Sequence, residues 1–88
     1  MKEHAMEERE NLLAEVQDVF RKELKLPDLV IKPSDTPADI AKWDSLRSMM
    51  ILRKLETRFN VRIGVEKAMS IRSVGDLMAA LNERMAHG

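Results

Sequence analysis

Few residues of this chain have the types and positions that catalysis requires. It contains no cysteine, which excludes a disulfide framework, an iron–sulfur cluster, a thiolate zinc site and a cysteine nucleophile. Its two histidines, His4 and His87, lie near the ends, where chains usually fray, whereas a general base or metal ligand must be held rigidly. The sequence also lacks the H-E-x-x-H, G-x-S-x-G and glycine-rich phosphate-binding motifs. We therefore expect neither an enzyme nor a metal site.

Length, composition and charge are typical of one small soluble domain. The chain has 88 residues and a hydrophobic fraction of 44%, enough for one modest core, so residues 1–88 are treated as a single domain. Lysine plus arginine and aspartate plus glutamate both number 15, and this zero net charge disfavours a general nucleic-acid or membrane-surface binder. No apolar run approaches the ~18 residues of a membrane span, and the first residues lack a signal peptide's apolar stretch. We expect a cytoplasmic monomer without membrane insertion.

Apolar periodicity predicts a helix over about residues 3–24, followed by a long loop. In the helix, apolar residues recur at three- and four-residue steps, namely Met6, Leu13, Val16, Phe20 and Leu24. Prolines then interrupt the chain at Pro27, Pro33 and Pro37, and proline breaks a helix interior. Residues 25–43 are therefore predicted as a loop, and a loop of that length is often functional.

Three further helices are predicted, over residues 44–59, 65–70 and 73–86. The residues expected to cap them are Asp44 and Ser73 at N-termini, with Asp76 in a capping-box position, and Asn60 at a C-terminus. No segment alternates with the period of two that a half-buried strand requires. The expected fold is all-α, a small four-helix bundle of three longer helices and one short helix.

The second predicted helix lies in the chain's one basic segment. Residues 44–63 hold five lysines and arginines against two acidic residues, whereas residues 1–24 hold four against seven. At about 100° per residue, one face collects the apolar residues Ile51, Leu52, Leu55 and Phe59. The opposite face carries Leu46 and Met50 in line with Arg53 and Thr57, flanked by Arg47, Lys54 and Arg58. An exposed apolar pair bordered by cations fits either a partner-docking surface or a solvated helix face.

The segment WDSLRSMMILRKLETRFNVRI resembles the acyl carrier proteins and the carrier domains of polyketide and peptide synthases. The mark of this family is an Asp-Ser-Leu triplet that opens the second helix after a long loop, here Asp44-Ser45-Leu46. An aromatic residue then ends that helix, as Phe59 does here. Further matches in chain order are Ile63, Ile71, Ser73 and Val74. The resemblance covers nearly the whole chain.

The resemblance implies that Ser45 is the attachment point of 4′-phosphopantetheine, with Asp44 and Leu46 beside it in the attachment motif. A phosphopantetheinyl transferase adds this arm, and the thiol of the arm carries an acyl group as a thioester. The implied partners are that transferase and the acyl-transferring or acyl-activating enzymes of the pathway, and no nucleic acid. The residues agree, because no histidine or lysine adjoins Ser45 to deprotonate it, and the start of a helix favours a phosphodiester.

The chain departs from family members that serve ordinary fatty-acid synthesis, whose second helix is strongly acidic. Arg47 follows the triplet, only Glu56 keeps the familiar sign, and Trp43 stands where glycine or alanine is common. The sequence therefore predicts different docking partners and a specialised fatty-acid, polyketide or related pathway. The predicted partner-binding residues are Leu46, Arg47, Met50, Arg53, Lys54 and Arg58.

Methionine is abundant, with seven residues, and Met49, Met69 and Met78 fall on or near helix faces predicted to turn inward. Thioether side chains are flexible, so a core that contains them can open for a guest at a low packing cost. Because related carriers can hold an acyl chain near the position matched by Ile71, the resemblance implies a pocket of Met49, Ile71 and Met78. Alternatively, these methionines simply fill an irregular core.

Two other functions remain open. The basic second helix could act as the recognition helix of a nucleic-acid-binding module, although neutral net charge and the Leu46–Met50 pair argue against it. The chain could also be a carrier-like scaffold that binds partners without being modified. Intact mass after co-expression with a broad-range phosphopantetheinyl transferase distinguishes a modified carrier from such a scaffold.

Overall fold

Four helices form the regular structure of the chain: α1 (Lys2–Leu24), α2 (Ser45–Phe59), α3 (Val65–Met69) and α4 (Val74–His87). The structure, a computed structural model, describes the backbone of residues 2–87 and the side chains of residues 11–85. The side chains of Met6, His4 and His87 lie outside the described residues. No strand occurs within residues 2–87, which confirms the all-α prediction.

The core lies where α1 packs against both α2 and α4. Every longer helix contributes one apolar face to it, as the helical periodicity predicts. The short α3 contributes no buried residue and contacts the core only through the half-buried Ala68. The buried residues are Leu12, Val16, Val19, Phe20, Leu24, Ile31, Ile40, Trp43, Ile51, Leu52, Leu55, Ile63, Val74, Leu77, Ala80 and Leu81.

The long loop between α1 and α2 is fixed to the body of the protein at several points. Its apolar anchors are Ile31, Ile40 and Trp43, each no more than 5% exposed. Polar contacts with α1 reinforce them, since Arg21 Nε donates to the Leu29 carbonyl at 2.6 Å and Ile31 N donates to Gln17 Oε1 at 3.0 Å. The loop therefore holds its far end, which carries the Asp-Ser-Leu triplet, in a defined place.

The loop also supplies hydrogen-bond acceptors to the start of α4. The first amides of a helix have no partner within it. Here Val74 N donates to the Asp35 carbonyl at 2.9 Å, and Gly75 N donates to the Pro33 carbonyl at 2.8 Å. A Cβ atom at Gly75 would lie 3.0 Å from that Pro33 oxygen, so glycine permits the close approach.

The predicted caps of α2 and α4 are present. Asn60 ends α2 in the left-handed conformation, with φ at 54°. At α4, Asp76 N donates to Ser73 Oγ at 3.1 Å, while Asp76 Oδ2 accepts from Arg72 N at 3.0 Å. The return bond thus reaches one residue further back than in a standard capping box.

Candidate functional site

Ser45 is the first residue of α2 and is exposed to solvent. Asp44 precedes it in an extended conformation and caps the helix, because its Oδ1 accepts from Arg47 N at 2.8 Å. The loop therefore ends at Asp44, and the helix begins at Ser45. The motif Asp44-Ser45 thus has a local structural basis as well as a chemical one.

The described surroundings of Ser45 favour a bound anion. The first turn of α2 contains no acidic residue. The amides of Ser45 and Leu46 donate to no protein group in the described part of the chain, so they can face a phosphodiester at the positive end of the helix dipole. The Ser45 hydroxyl makes no hydrogen bond to a described side chain.

Trp43 fixes the position of the helix start. Its side chain is 5% exposed and packs edge-to-face on Phe20 of α1, with ring centroids 4.9 Å apart. The preceding Lys42 has φ at 69°, a left-handed conformation that is uncommon for residues other than glycine. Sequence reasoning noted Trp43 only as a departure from the family motif; its apolar bulk beside the Asp44 cap was the available signal for an anchor.

The outer face of α2 combines exposed apolar and basic side chains as predicted. Leu46 is 67% exposed and Met50 is 41% exposed, and Arg53 and Lys54 are also exposed. The structure does not leave all four predicted cations pointing at solvent, because the half-buried Arg47 donates to the Glu23 carbonyl at 3.0 Å.

Arg58, the fourth cation predicted on this face, is also engaged by α1. Its Nη2 lies 3.0 Å from Asp18 Oδ2, and its Nη1 donates to the Glu15 carbonyl at 3.3 Å. The hydrogen bond from Arg58 to the carboxylate, with a second from Lys22, holds the pKa of Asp18 below its usual range. Arg58 therefore joins α2 to α1.

A narrow recess lies behind the attachment region. It has room for about one water molecule and is lined by Trp43, Ser48, Met49, Ile51, Leu52, Ala68, Ile71 and Leu77. Met49 and Ile71, two of the predicted pocket residues, therefore meet in one place. Met78 does not line the recess; it is half-buried and packs against the core.

The prediction that Met69 turns inward is wrong, because its side chain is 75% exposed. With five residues, α3 is too short to have an extensive inner face, and it approaches the core through Ala68. Val65, one helical turn from Met69, is likewise exposed, at 64%. Met49, which is 39% exposed, lies at the edge between recess and solvent.

Within the described residues, no three histidine, cysteine, aspartate or glutamate side chains are grouped so that they could hold a metal ion. Within those residues, too, no helix has both the length and the apolar character needed to span a bilayer.

Comparison with known proteins places this chain in a defined family. The chain is similar in structure to the holo acyl carrier protein of Geobacter metallireducens, solved by solution NMR, with a TM-score of 0.77 and 24% sequence identity over 85% of this chain and 86% of that chain. That likeness shows a shared fold. The profile of the family described as "Phosphopantetheine attachment site" matches residues 14–81, so the chain belongs to this family, the acyl carrier proteins and related carriers. A comparison with curated protein sequences gives no match.

Family membership defines the kind of protein and its cofactor. The chain is a carrier and not an enzyme, and its cofactor is a covalently attached 4′-phosphopantetheine group. The residues at the start of α2 fit that group, because the exposed Ser45 lies beside amides that have no hydrogen-bond partner among the described residues, and no carboxylate follows it in the first turn. Carriers of this family work with phosphopantetheinyl transferases and with acyl-handling enzymes.

Proposed function

We propose that this protein carries acyl intermediates on a 4′-phosphopantetheine arm attached to Ser45. The observation that supports Ser45 most directly is its place as the exposed first residue of α2, immediately after the Asp44 cap. It lies within the span that matches the attachment-site family. The arm, when bound, supplies the thiol that holds an acyl group as a thioester. Asp44 and Leu46 form the remainder of the proposed attachment motif.

Intact-mass measurement after co-expression with a broad-range phosphopantetheinyl transferase tests this assignment. The unaltered chain is expected to gain the mass of one phosphopantetheine group, and Ser45→Ala is expected to gain none. Ser48→Ala is the matched control, since Ser48 lies in the same helix one turn further on and is half-buried. Ser48→Ala should be modified like the unaltered chain. Modification that persists in folded Ser45→Ala protein would refute the site.

We further propose that the carrier serves a specialised fatty-acid, polyketide or related pathway. Residues 44–63 have five basic against two acidic residues, and the outer face of α2 exposes Arg53 and Lys54 beside Leu46 and Met50. A surface of this sign favours partner enzymes with complementary acidic surfaces. Turnover measured with fatty-acid-synthesis enzymes that accept acidic carriers should be poor, and it should improve when Arg53 and Lys54 are changed to glutamate.

We also propose that the recess beside Trp43 can receive the acyl chain. Met49 and Ile71 line it, and Met78 lies in the neighbouring core, where its flexible side chain can adjust as a guest enters. The recess lies between α2 and the segment that includes α3 and the start of α4. Ser48, one turn from Ser45, lines it too, so the attachment region and the recess share one side of α2.

A further inference from the structure

The positive charge on the outer face of α2 divides into two pairs with different surroundings. Arg47 donates to the carbonyl of Glu23 at 3.0 Å, near the end of α1, where backbone carbonyls lack helical partners. Arg58 is held by the Asp18 carboxylate at 3.0 Å. These two arginines fasten α2 to α1, so their charges are partly compensated within the protein.

Arg53 and Lys54 form the second pair. Both are exposed, and neither takes part in an ion pair among the described side chains. At about 100° per residue they project about 60° and about 40° to either side of Met50, one turn further along the helix. Met50 is 41% exposed, so an apolar side chain lies at the surface between these two cations.

These side chains form one wall of an open groove between α2 and the end of α1. We call it the α2 groove. The residues that line it are Glu23, Met50, Arg53, Lys54, Thr57 and Arg58. Because Arg58 is bound to Asp18, the free positive charge of the groove comes from the side that carries Arg53 and Lys54. Glu23 contributes the one carboxylate among the lining residues, on the α1 side.

We propose that the α2 groove docks an acidic amphipathic segment of an acyl-handling enzyme, with an apolar side chain on Met50 and carboxylates at Arg53 and Lys54. The inference rests on the proposed carrier function and specifies the chemistry of the partner. Opposite charges at the rim raise the association rate, and a flexible methionine adapts to the apolar residue it meets. Glu23 repels carboxylates on the α1 side, so it helps to fix the orientation of the segment.

The same groove is poorly suited to a nucleic acid. Binding to a phosphate backbone depends on the number of phosphates that basic side chains neutralise. Among the described side chains, two of the four cations on this face, Arg47 and Arg58, are already bonded to α1. The exposed apolar side chain of Met50 between Arg53 and Lys54 also makes no favourable contact with a phosphate backbone. Heparin is included in the test below as a polyanion without an apolar face.

The test is an NMR titration of the full, isotope-labelled chain in its phosphopantetheinylated form. One synthetic helical peptide carries a leucine stripe bordered by glutamates, and a second has lysines in place of those glutamates. The glutamate peptide should shift the amides of Met50, Arg53, Lys54 and Thr57 and bind about tenfold more tightly than the lysine peptide at low salt. This preference should shrink as salt rises. In the double variant Arg53→Glu/Lys54→Glu it should reverse.

The matched control is Arg62→Glu/Arg72→Glu, which makes the same change in net charge at exposed positions outside the groove. It should keep the preference of the unaltered chain. Equal binding of the two peptides, shifts that map elsewhere, or tighter binding of heparin than of the glutamate peptide would each overturn the proposal. The titration is repeated with Ser45→Ala, which keeps the groove. An intact peptide preference there, combined with modification at another serine, would refute Ser45 and leave the groove standing.

Discussion

The indole of Trp43 meets the phenyl ring of Phe20 edge-to-face, with the ring planes at 76° and the centroids 4.9 Å apart. Both side chains are buried, Phe20 completely and Trp43 to within 5%. The contact joins the end of the long loop, directly before the Asp44 cap, to the C-terminal part of α1. An aromatic pair of this geometry stabilises the fold by more than the burial of its apolar area alone. It therefore fixes where α2 begins and where Ser45 is presented.

Replacement of Trp43 should separate its packing from its polar group. The indole Nε1 is buried and has no hydrogen-bond partner among the described residues, so Trp43→Phe keeps an aromatic ring and removes an unsatisfied donor. We expect Trp43→Phe to lower the free energy of unfolding by only about 1 kcal/mol, and Trp43→Ala by about 3–5 kcal/mol. Urea unfolding measures both values. Equal losses in the two variants would show that the indole N–H has a role that the ring contact does not explain.

Asp44 should contribute to stability as a cap, apart from its place in the attachment motif. Its Oδ1 accepts from Arg47 N at 2.8 Å. Asp44→Ala removes this acceptor and should cost about 1 kcal/mol of unfolding free energy, whereas Asp44→Asn retains an acceptor and should cost much less. Denaturant unfolding of the unmodified proteins checks this order. If Asn costs as much as Ala, the charge of Asp44 at the helix dipole matters more than the hydrogen bond.

Residue types that act locally were sufficient to predict much of this structure. Asp44 and Ser73 cap helices because their side chains accept from nearby amides, and Asn60 tolerates the left-handed conformation that ends α2. The triplet Asp44-Ser45-Leu46 in turn predicted Ser45 as the attachment residue. Lys25 and Lys42, by contrast, also have positive φ, and nothing in a lysine side chain indicates that conformation in advance.

Features that depend on neighbouring helices were harder to predict. Helical periodicity correctly placed Arg47 and Arg58 beside the outer face of α2, but it contains no information about α1 and hence none about their contacts with Glu23 and Asp18. Met69 shows the same limit. A helix of five residues has no reliable period, so the inward face of α3 could only be found from its packing.

The ion pair between Asp18 and Arg58 should make stability depend on pH. Hydrogen bonds from Arg58 and then Lys22 lower the pKa of Asp18 in the folded protein. The ionised carboxylate therefore stabilises the fold above the unfolded pKa of about 4, and this contribution is lost as pH falls towards the folded pKa. We expect Asp18→Asn to reduce the free energy of unfolding at pH 7 and to have a smaller effect at pH 3, below the unfolded pKa, where the stabilisation by the ionised carboxylate is already declining.

A second carboxylate, Asp39, also makes stability depend on pH, so its effect must be separated from that of Asp18. The backbone amide and then the hydroxyl of Thr36 hydrogen-bond to its carboxylate and lower its pKa, so it adds a pH dependence of the same sign. The effect of Asp18→Asn is therefore measured in Asp39→Asn protein as well as in the unaltered chain. A loss at pH 3 equal to that at pH 7 in both backgrounds would contradict an ionic contribution from Asp18.

The recess beside Trp43 is too small to hold an acyl chain without a change in shape. With room for about one water molecule, it must widen before an acyl chain can enter, and its flexible member is Met49 at the solvent edge. Ile71 lies in the opposite wall, outside α2. Ile71→Phe should overfill the recess, whereas Met69→Leu changes an exposed side chain and serves as the control.

We expect the melting temperature of the phosphopantetheinylated protein to rise from the unloaded form to a short-acyl form and again to a medium-acyl form. Each methylene that leaves water contributes up to about 0.8 kcal/mol, less the cost of widening the recess, so the rise should end when the space is filled. Thermal melting gives the stability, and the methyl NMR signals of Met49 and Ile71 report entry of the chain. Met69→Leu should preserve the dependence on chain length, and Ile71→Phe should abolish it. A melting temperature and methyl signals that ignore chain length in the unaltered protein would show that the acyl group stays in solvent.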